Sequence, residues 1–270
     1  MPELPEVEIA ARIARQALVG RVLENVTPHH PSQRRLFPPR DQRRVAGRTV
    51  AAVERRAKHQ HIVLDDGAII AVHFRMNGDW EVSVVAEPLP RFARVTFTTA
   101  DGTRLSLVDS RALCAVSYHP PGHAPELSLG PEPDALSVAL LRDALAGKTG
   151  PIKPTLLDQR VVAGLGNIYA AESLWRAGIH PARAARSLDA RELHALVRGI
   201  KGAIADGFRR AGRYRVGHRD RPFNVYDREG RSCNRCHGTV QRIPQAGRST
   251  YFCPACQPRA TPRGARAAAP

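Results

Sequence analysis

Long apolar runs, a leader-like N-terminus and a cysteine framework are all missing from this chain, and acidic residues are scarce. No stretch approaches the roughly 18 consecutive apolar residues of a membrane-spanning helix, so no membrane partner is expected. The N-terminus, MPELPEVE, carries glutamates where a secretory signal would carry positive charge and then an apolar core. Four of the five cysteines sit in two tight pairs and Cys114 stands apart, which is not a disulfide framework. Together these absences point to an intracellular, cytoplasmic protein. Only 25 acids face 41 lysines and arginines, overwhelmingly arginine, for a formal charge of +16. Arginine suits planar, bidentate recognition of phosphates.

The excess is uneven. From Lys201 to Pro270 there are 15 basic and 4 acidic residues, so +11 of the +16 lies in the last quarter. A solvated basic face would aid solubility and nothing more. Such asymmetry favours a polyanionic partner instead, and nucleic acid is the commonest soluble one.

The 270 residues allow two domains or one large one. The first helix, from Leu4, has Val7, Ala10, Ile13, Ala14 and Ala17 at helical spacing. After a Pro/Arg-rich stretch, β signals take over at His61–Leu64, Ala68–Phe74, Trp80–Val85, Ala93–Thr98 and Leu105–Val108. Asp66-Gly67, Asn77-Gly78 and Asp101-Gly102 read as hairpin turns between them. Short strands with such turns predict an antiparallel sandwich or barrel. A proline- and glycine-rich linker places a domain boundary near residue 130. Beyond it helices are expected at Leu136–Leu145, at Asn167–Ala177 closed by Gly178, and from Asp189 with Glu192 completing a capping box. The expected organisation is residues 1–130, a helical domain over 131–220, a metal-stapled module over 221–258 and a disordered tail over 259–270.

Cys233, Cys236, Cys253 and Cys256 form a C-x2-C-x16-C-x2-C pattern. Two such knuckles supply four thiolates for one tetrahedral zinc, and a site without an open position is structural rather than catalytic. His237 could compete as a ligand, but four thiolates already close the site. Strands at Thr239–Arg242 and Ser249–Phe252, turning at Ala246-Gly247, would make a β-ribbon finger bearing Arg242 and Arg248. Gly164 and Gly166 lie directly before the helix at Asn167. Amides in such a turn suit a phosphate, although glycine before a helix is common for plain structural reasons.

The N-terminal run has a local explanation only in part. Pro5 suits a first helical turn, and Glu6 and Glu8 complement the dipole. Neither explains Pro2 and Glu3. Three separated stretches, PELPEVE, GLGNIYAAESLWRAGIHP and the paired-cysteine finger, together resemble the formamidopyrimidine-DNA glycosylase and endonuclease VIII family. IKPTLLDQ, RRAKHQHIVL and HFRMNG match in order, so the likeness spans nearly the whole chain. The resemblance implies an α+β, multidomain protein: an N-terminal β-sandwich with its helix, a helix–two-turns–helix domain and a β-ribbon zinc finger. It implies a bifunctional DNA glycosylase and AP lyase acting on damaged double-stranded DNA, for which a monomer suffices. Pro2, exposed by removal of Met1, would be the nucleophile, and its secondary amine gives a cationic iminium that is a strong electron sink. Glu3 would move protons at the sugar ring oxygen and base. Glu6 matches a second important carboxylate, and Lys58 a cation that approaches the lesion. Lys153, Asn167 and Arg248 match phosphate contacts, as does His73 a DNA contact. Met76 and Arg111 match side chains that fill the space of the displaced base.

Three departures bear on the choice of lesion. The family's typical DPRRFG is here DSRALC, so Leu113 stands for an aromatic. Phe92-Ala93 replaces a His-Asp pair usual in many relatives, and the Asp206–Tyr226 segment is shorter than in the formamidopyrimidine enzymes. 8-Oxoguanine, ring-opened purines and oxidised pyrimidines are all candidates. A non-catalytic damaged-DNA-binding protein on the same scaffold is the alternative, and loss of Pro2 or Glu3 would have favoured it.

Overall fold

The computed structural model describes residues 2–210 and 223–259. It divides into two compact units, Met1–Leu127 and Ser128–Pro270. The division falls inside the proline- and glycine-rich stretch. The expected junction at residue 220 and the 260–270 part of the expected tail lie outside the described residues.

The first unit opens with α1 (Leu4–Leu18), followed by β1 (Leu23–Pro28), α2 (Pro31–Leu36) and α3 (Pro39–Val45). Then come β2 (Val50–Arg56), β3 (His59–Leu64), β4 (Ile69–His73), β5 (Asp79–Val84), β6 (Ala93–Thr99), β7 (Thr103–Val108) and β8 (Ala115–His119). They form two four-stranded sheets, in the orders β1-β6-β7-β5 and β2-β3-β4-β8, and every pair is antiparallel. One core joins the sheets and α1. β3 shows why: Gln60, Ile62 and Leu64 are buried while His59, His61 and Val63 are only half-buried, the period-2 signature of a strand with one inward face. At the centre Trp80 meets Phe74 and Phe97 edge-on, both at 5.6 Å, and its Nε1–H donates to Gln60 Oε1 at 2.8 Å. That bond satisfies an indole donor whose burial would otherwise cost about 1–3 kcal/mol.

The Asp66-Gly67 and Asp101-Gly102 turns join β3 to β4 and β6 to β7 as hairpins. Asn77-Gly78 does not, because β4 and β5 belong to different sheets. Glycine is needed there for space: a Cβ at residue 78 would lie 2.9 Å from the Phe74 backbone.

The second unit contains α4 (Val138–Leu145), α5 (Ile152–Leu156), α6 (Asn167–Ala177), α7 (Ala190–Arg210), β9 (Gln241–Gln245) and β10 (Arg248–Phe252). α6 ends where Gly178 takes the left-handed conformation at φ 70°. α7 begins with the expected capping box, Asp189 N–H to Glu192 Oε2 at 3.0 Å and Glu192 N–H to Asp189 Oδ1 at 2.9 Å. α6 and α7 approach so closely that a Cβ on Gly199 would sit 2.6 Å from the Ser173 carbonyl oxygen. The helical and finger segments share this unit, since Ala171 and Trp175 of α6 pack in one cluster with Val225, Cys233, Val240 and Cys253.

Candidate active site and DNA-contact residues

Glu3 is the N-cap of α1, with extended backbone at φ −110°. Its carboxylate accepts the Glu6 N–H, and the Glu6 carboxylate accepts the Glu3 N–H at 2.9 Å. This reciprocal pair fixes the chain at Pro2, which is half-buried, while Glu3 is fully buried. Pro2, Glu3 and Glu6 are therefore brought to one end of α1.

The helix is locked in place by a group that sequence reading did not single out beyond a dipole role. Glu8, 15% exposed, accepts from Arg55 Nε and Arg15 Nη1, both at 3.0 Å. Arg15 Nε donates onward to the Val53 carbonyl at 2.6 Å, and Arg55 Nη1 to that of Ala57 at 3.3 Å. Thus α1 is bonded to β2 and to the β2–β3 turn that holds Lys58. From sequence alone, Glu8 offered only a place near the helix dipole; its i,i+4 pair with Arg12 is a further bond the structure shows.

His73 ends β4 against His59 of β3, with ring centroids 4.6 Å apart. Burial, then His59, Arg75 and Lys58, pushes the His73 pKa down to about 3; burial, then His61, Arg75 and Lys58, lowers His59 to about 4. His73 is thus neutral near pH 7. Its Nδ1 accepts the Arg75 N–H at 2.9 Å, which leaves the proton on Nε2 as a donor. Met76 occupies the turn after β4 and is 38% exposed. Asn77 Nδ2 in that turn donates to Ser110 Oγ at 2.9 Å, so the Met76 turn and the loop carrying Arg111 are neighbours. The loop itself is organised by buried Asp109, whose carboxylate accepts the N–H groups of Arg111, Leu113 and Cys114 at 2.7–2.9 Å. Gln33 Nε2 of α2 braces the loop through the Cys114 carbonyl at 2.5 Å.

In the second unit, Lys153 and Asn167 meet although 14 positions separate them. The Lys153 ammonium donates to Asn167 Oδ1, and Asn167 Nδ2 donates to the Ser249 carbonyl at 3.0 Å. Lys153 Nζ also reaches that carbonyl at 3.5 Å. Arg248, exposed at the start of β10, is the neighbour of Ser249. Lys153, whose side chain is fully buried, and Asn167 are thus brought together from α5 and α6 at the Ser249 carbonyl, and Arg248 is placed beside them only as the sequence neighbour of Ser249. The Gly164–Gly166 turn behaves differently from a bare phosphate cradle. Gly164 N–H is already donated to Gln159 Oε1 at 3.0 Å, and Gln159 Nε2 donates to the Leu165 carbonyl at 2.8 Å. Glu172 of α6 was also unmarked in sequence: buried, it accepts the N–H groups of Asn224, Val225 and Tyr226 at 2.8–3.0 Å.

The metal centre is compact. The sulfurs of Cys233, Cys236, Cys253 and Cys256 lie within 4.8 Å of one another, with Cys236–Cys253 at 3.5 Å and Cys233–Cys256 at 3.9 Å. Tetrahedral zinc with bonds of about 2.3 Å requires sulfurs about 3.8 Å apart, so the four residues fit one structural zinc. Trp175 Nε1–H donates to Cys233 Sγ at 3.3 Å, and Arg235 lies 4.1 Å over the Trp175 ring. Burial raises the Cys233 pKa, but the amides of Arg235 and Cys236 and this indole outweigh it and bring it down to about 6. His237 is not in the cluster. β9 runs over Gln241–Gln245 rather than Thr239–Arg242, while the Ala246-Gly247 turn is as expected.

Among the described residues no helix is long and apolar enough to cross a membrane. Residues 211–222 of the shortened segment lie outside the described residues.

Residues 1–116 match the formamidopyrimidine-DNA glycosylase N-terminal domain, 127–215 that enzyme's H2TH domain, and 232–259 a zinc finger found in FPG and IleRS. The chain is 39% identical to formamidopyrimidine-DNA glycosylase of Paracoccus denitrificans, over 95% of this chain and 100% of that one. It is 40% identical to the Chloroflexus aggregans enzyme, over 95% and 98% respectively. Among solved structures, Lactococcus lactis Fpg in complex with abasic-site DNA superposes with a TM-score of 0.87 at 29% identity, covering 95% of this chain and 100% of that one. MutM in complex with DNA containing carbocyclic 8-oxo-G gives a TM-score of 0.86 at 29% identity, over 96% and 100%. On these matches over nearly its full length, the chain belongs to the formamidopyrimidine-DNA glycosylase family.

Proposed function

We infer that this chain is a DNA glycosylase with AP lyase activity that serves base excision repair. The observation that carries the reading is the reciprocal Glu3–Glu6 cap, which holds Pro2 at the end of α1 in a chain matching the glycosylases end to end. Once Met1 is removed, the Pro2 nitrogen attacks C1′ of the damaged nucleotide and the glycosidic C–N bond breaks, the base leaving with a proton. Glu3 protonates the ring oxygen, the sugar opens, and the nitrogen lone pair forms the iminium. That cation acidifies the neighbouring C–H. Loss of this proton expels the 3′ phosphate, and a second elimination expels the 5′ phosphate. Lys58 and neutral His73 bind the strand at the lesion, Lys153, Asn167 and Arg248 hold its phosphates, and Met76 and Arg111 enter the space of the displaced nucleotide. The +16 charge supports a DNA partner, and duplex DNA carrying an oxidised base is the substrate we propose. We also propose that the enzyme works as a monomer in the cytoplasm, because one chain carries every candidate group.

Borohydride trapping on duplexes bearing an abasic site, 8-oxoguanine or an oxidised pyrimidine tests this reading. A covalent complex on a base lesion, lost in Glu3→Gln, is expected, and the best-trapped lesion names the substrate. A Pro2→Gly variant with Met1 removed keeps a primary amine and should trap more slowly. Tight, salt-sensitive binding without trapping on any duplex would instead leave a damage-binding protein.

A further inference from the structure

Four non-glycine residues of the first unit hold positive φ: Ala57 at 52°, Arg75 at 55°, Phe92 at 67° and Ala112 at 53°. A non-glycine residue in this region is strained and persists where the surroundings impose it, which happens preferentially at functional sites. Three of the four adjoin residues of the proposed site, namely Lys58, Met76 and Arg111. Phe92 adjoins none in sequence, yet it is bonded to the same place. Its carbonyl accepts the Asp109 N–H at 3.1 Å, at the root of the Arg111 loop. Arg94, two residues on, donates through Nε to the Asp109 carbonyl at 2.6 Å.

The ring is presented rather than packed. Phe92 is 41% exposed, against 2% for Phe74 and 0% for Phe97 in the same unit. Two guanidinium groups flank it, Arg91 at 4.6 Å and Arg94 at 5.7 Å from its centroid. Leu113 is 44% exposed and Met76 38%, and the 109–114 loop, DSRALC, contains no aromatic. A partly exposed aromatic ring attended by two guanidinium groups, on strained backbone beside a loop proposed to enter DNA, suits a flat and anionic polymer.

Resting on the function proposed above, we propose that Phe92 is a DNA-stacking residue. Its ring stacks on a base of the duplex that is unstacked at the lesion, while Arg91 and Arg94 meet the flanking phosphates. Base–aromatic stacking requires a π-face, which neither Leu113 nor Met76 offers.

Single-turnover excision and equilibrium binding on a lesion duplex, compared for wild type, Phe92→Leu, Phe92→Tyr and Phe92→Gly, test the assignment. Phe92→Leu keeps the apolar bulk and should lose about tenfold in affinity or excision, the scale of one stacked base, whereas Phe92→Tyr should keep wild-type values. Phe92→Gly relieves the positive φ, so it should melt at or above the wild-type temperature while losing the same factor; a fold defect would lower both together. In Phe92→Trp the new indole should be quenched by lesion duplex. Wild-type behaviour of Phe92→Leu within about twofold, or no quenching in Phe92→Trp, would overturn the proposal. Trapping of wild type on abasic DNA is read in parallel. If trapping succeeds and Phe92→Leu is silent, only the stacking role falls; if no duplex is trapped, the glycosylase reading falls with it.

Discussion

Substitution of Glu8 should separate positioning from chemistry in this enzyme, because Glu8 touches no proposed substrate contact yet ties α1 to β2. Of its three arginine partners, Arg12 is 63% exposed at the side chain and contributes little, as exposed pairs do. Arg55 is 14% exposed and Arg15 36%, each 3.0 Å from the carboxylate. Hydrogen bonds to charged groups contribute about 1.5–3 kcal/mol. Discounted for the partial exposure of Arg15, the cluster is worth about 2 kcal/mol. Glu8→Ala should then lower the melting temperature by about 4–8 °C, at about 2–4 °C per kcal/mol for a chain of this size. The effect depends on pH with a definite sign. Burial raises the Glu8 pKa, but Arg15 and Arg55 outweigh it and hold the carboxyl below its ordinary value. Its stabilisation is therefore present above about pH 4.3, the unfolded value, and is lost as pH falls further. The gap between wild type and Glu8→Gln should close over that range. On catalysis, Glu8→Gln should cut kcat about tenfold with little change in KM, since α1 carries the nucleophile and the Arg55–Ala57 bond steadies the Lys58 turn. A double-mutant cycle of Glu8→Ala with Arg55→Ala, read by chemical denaturation, should give a coupling of about 1–2 kcal/mol. A coupling under about 0.3 kcal/mol, or a rise in KM with kcat intact, would refute this reasoning.

Gly199→Ala should destabilise the second unit by about 1–3 kcal/mol, read by calorimetry, because its Cβ would meet the Ser173 carbonyl at 2.6 Å and a backbone must move. Arg248→Ala should reduce the slope of log affinity against log salt by about 0.9, the value of one phosphate contact, in anisotropy titrations. His59 and His73 are held neutral by burial and by neighbouring cations, so the unfolded chain takes up protons below about pH 6.5 that the folded chain does not until about pH 4 and 3. Stability should therefore fall as pH drops from 6.5 towards 4, and urea midpoints of His59→Phe should fall less steeply than those of wild type. Zinc removal by a chelator should alter the emission of Trp175, whose N–H donates to Cys233 Sγ, and abolish DNA binding through Arg248 as the finger loses its order.

Elements with a local cause were legible in the sequence, and elements with a distant cause were not. α6 was bounded to the residue because Gly166 precedes it and Gly178 ends it in the left-handed conformation. The start of α7 followed from Asp189 and Glu192, two side chains three positions apart. β1, β2 and β8 went unread for a different reason. β1 pairs with β6 about 70 positions away, and β8 with β4 more than 40 away, so nothing beside them in the chain announces a partner. β2 does pair with its successor, but through a turn at Ala57 and Lys58 that lacks glycine and asparagine, Ala57 carrying the positive φ itself. The short helices α2 and α3 lay hidden in a stretch that reads as loop, because Pro31 and Pro39 start helices at their first position rather than break them. The same division runs through the candidate site. The N-terminal pair is local yet only half legible: Glu6 reads as a dipole partner, but Glu3 as the N-cap that closes a reciprocal box with it went unread because glutamate is not among the usual caps. Lys153, Asn167 and Ser249 span nearly a hundred positions and meet only once α5, α6 and the β-ribbon have packed. Phe92 was noticed as a departure in a familiar pattern. Its strained backbone and its bond to Asp109 depend on β6 and β7 having paired, and only those two facts turn an odd residue into a candidate contact with DNA.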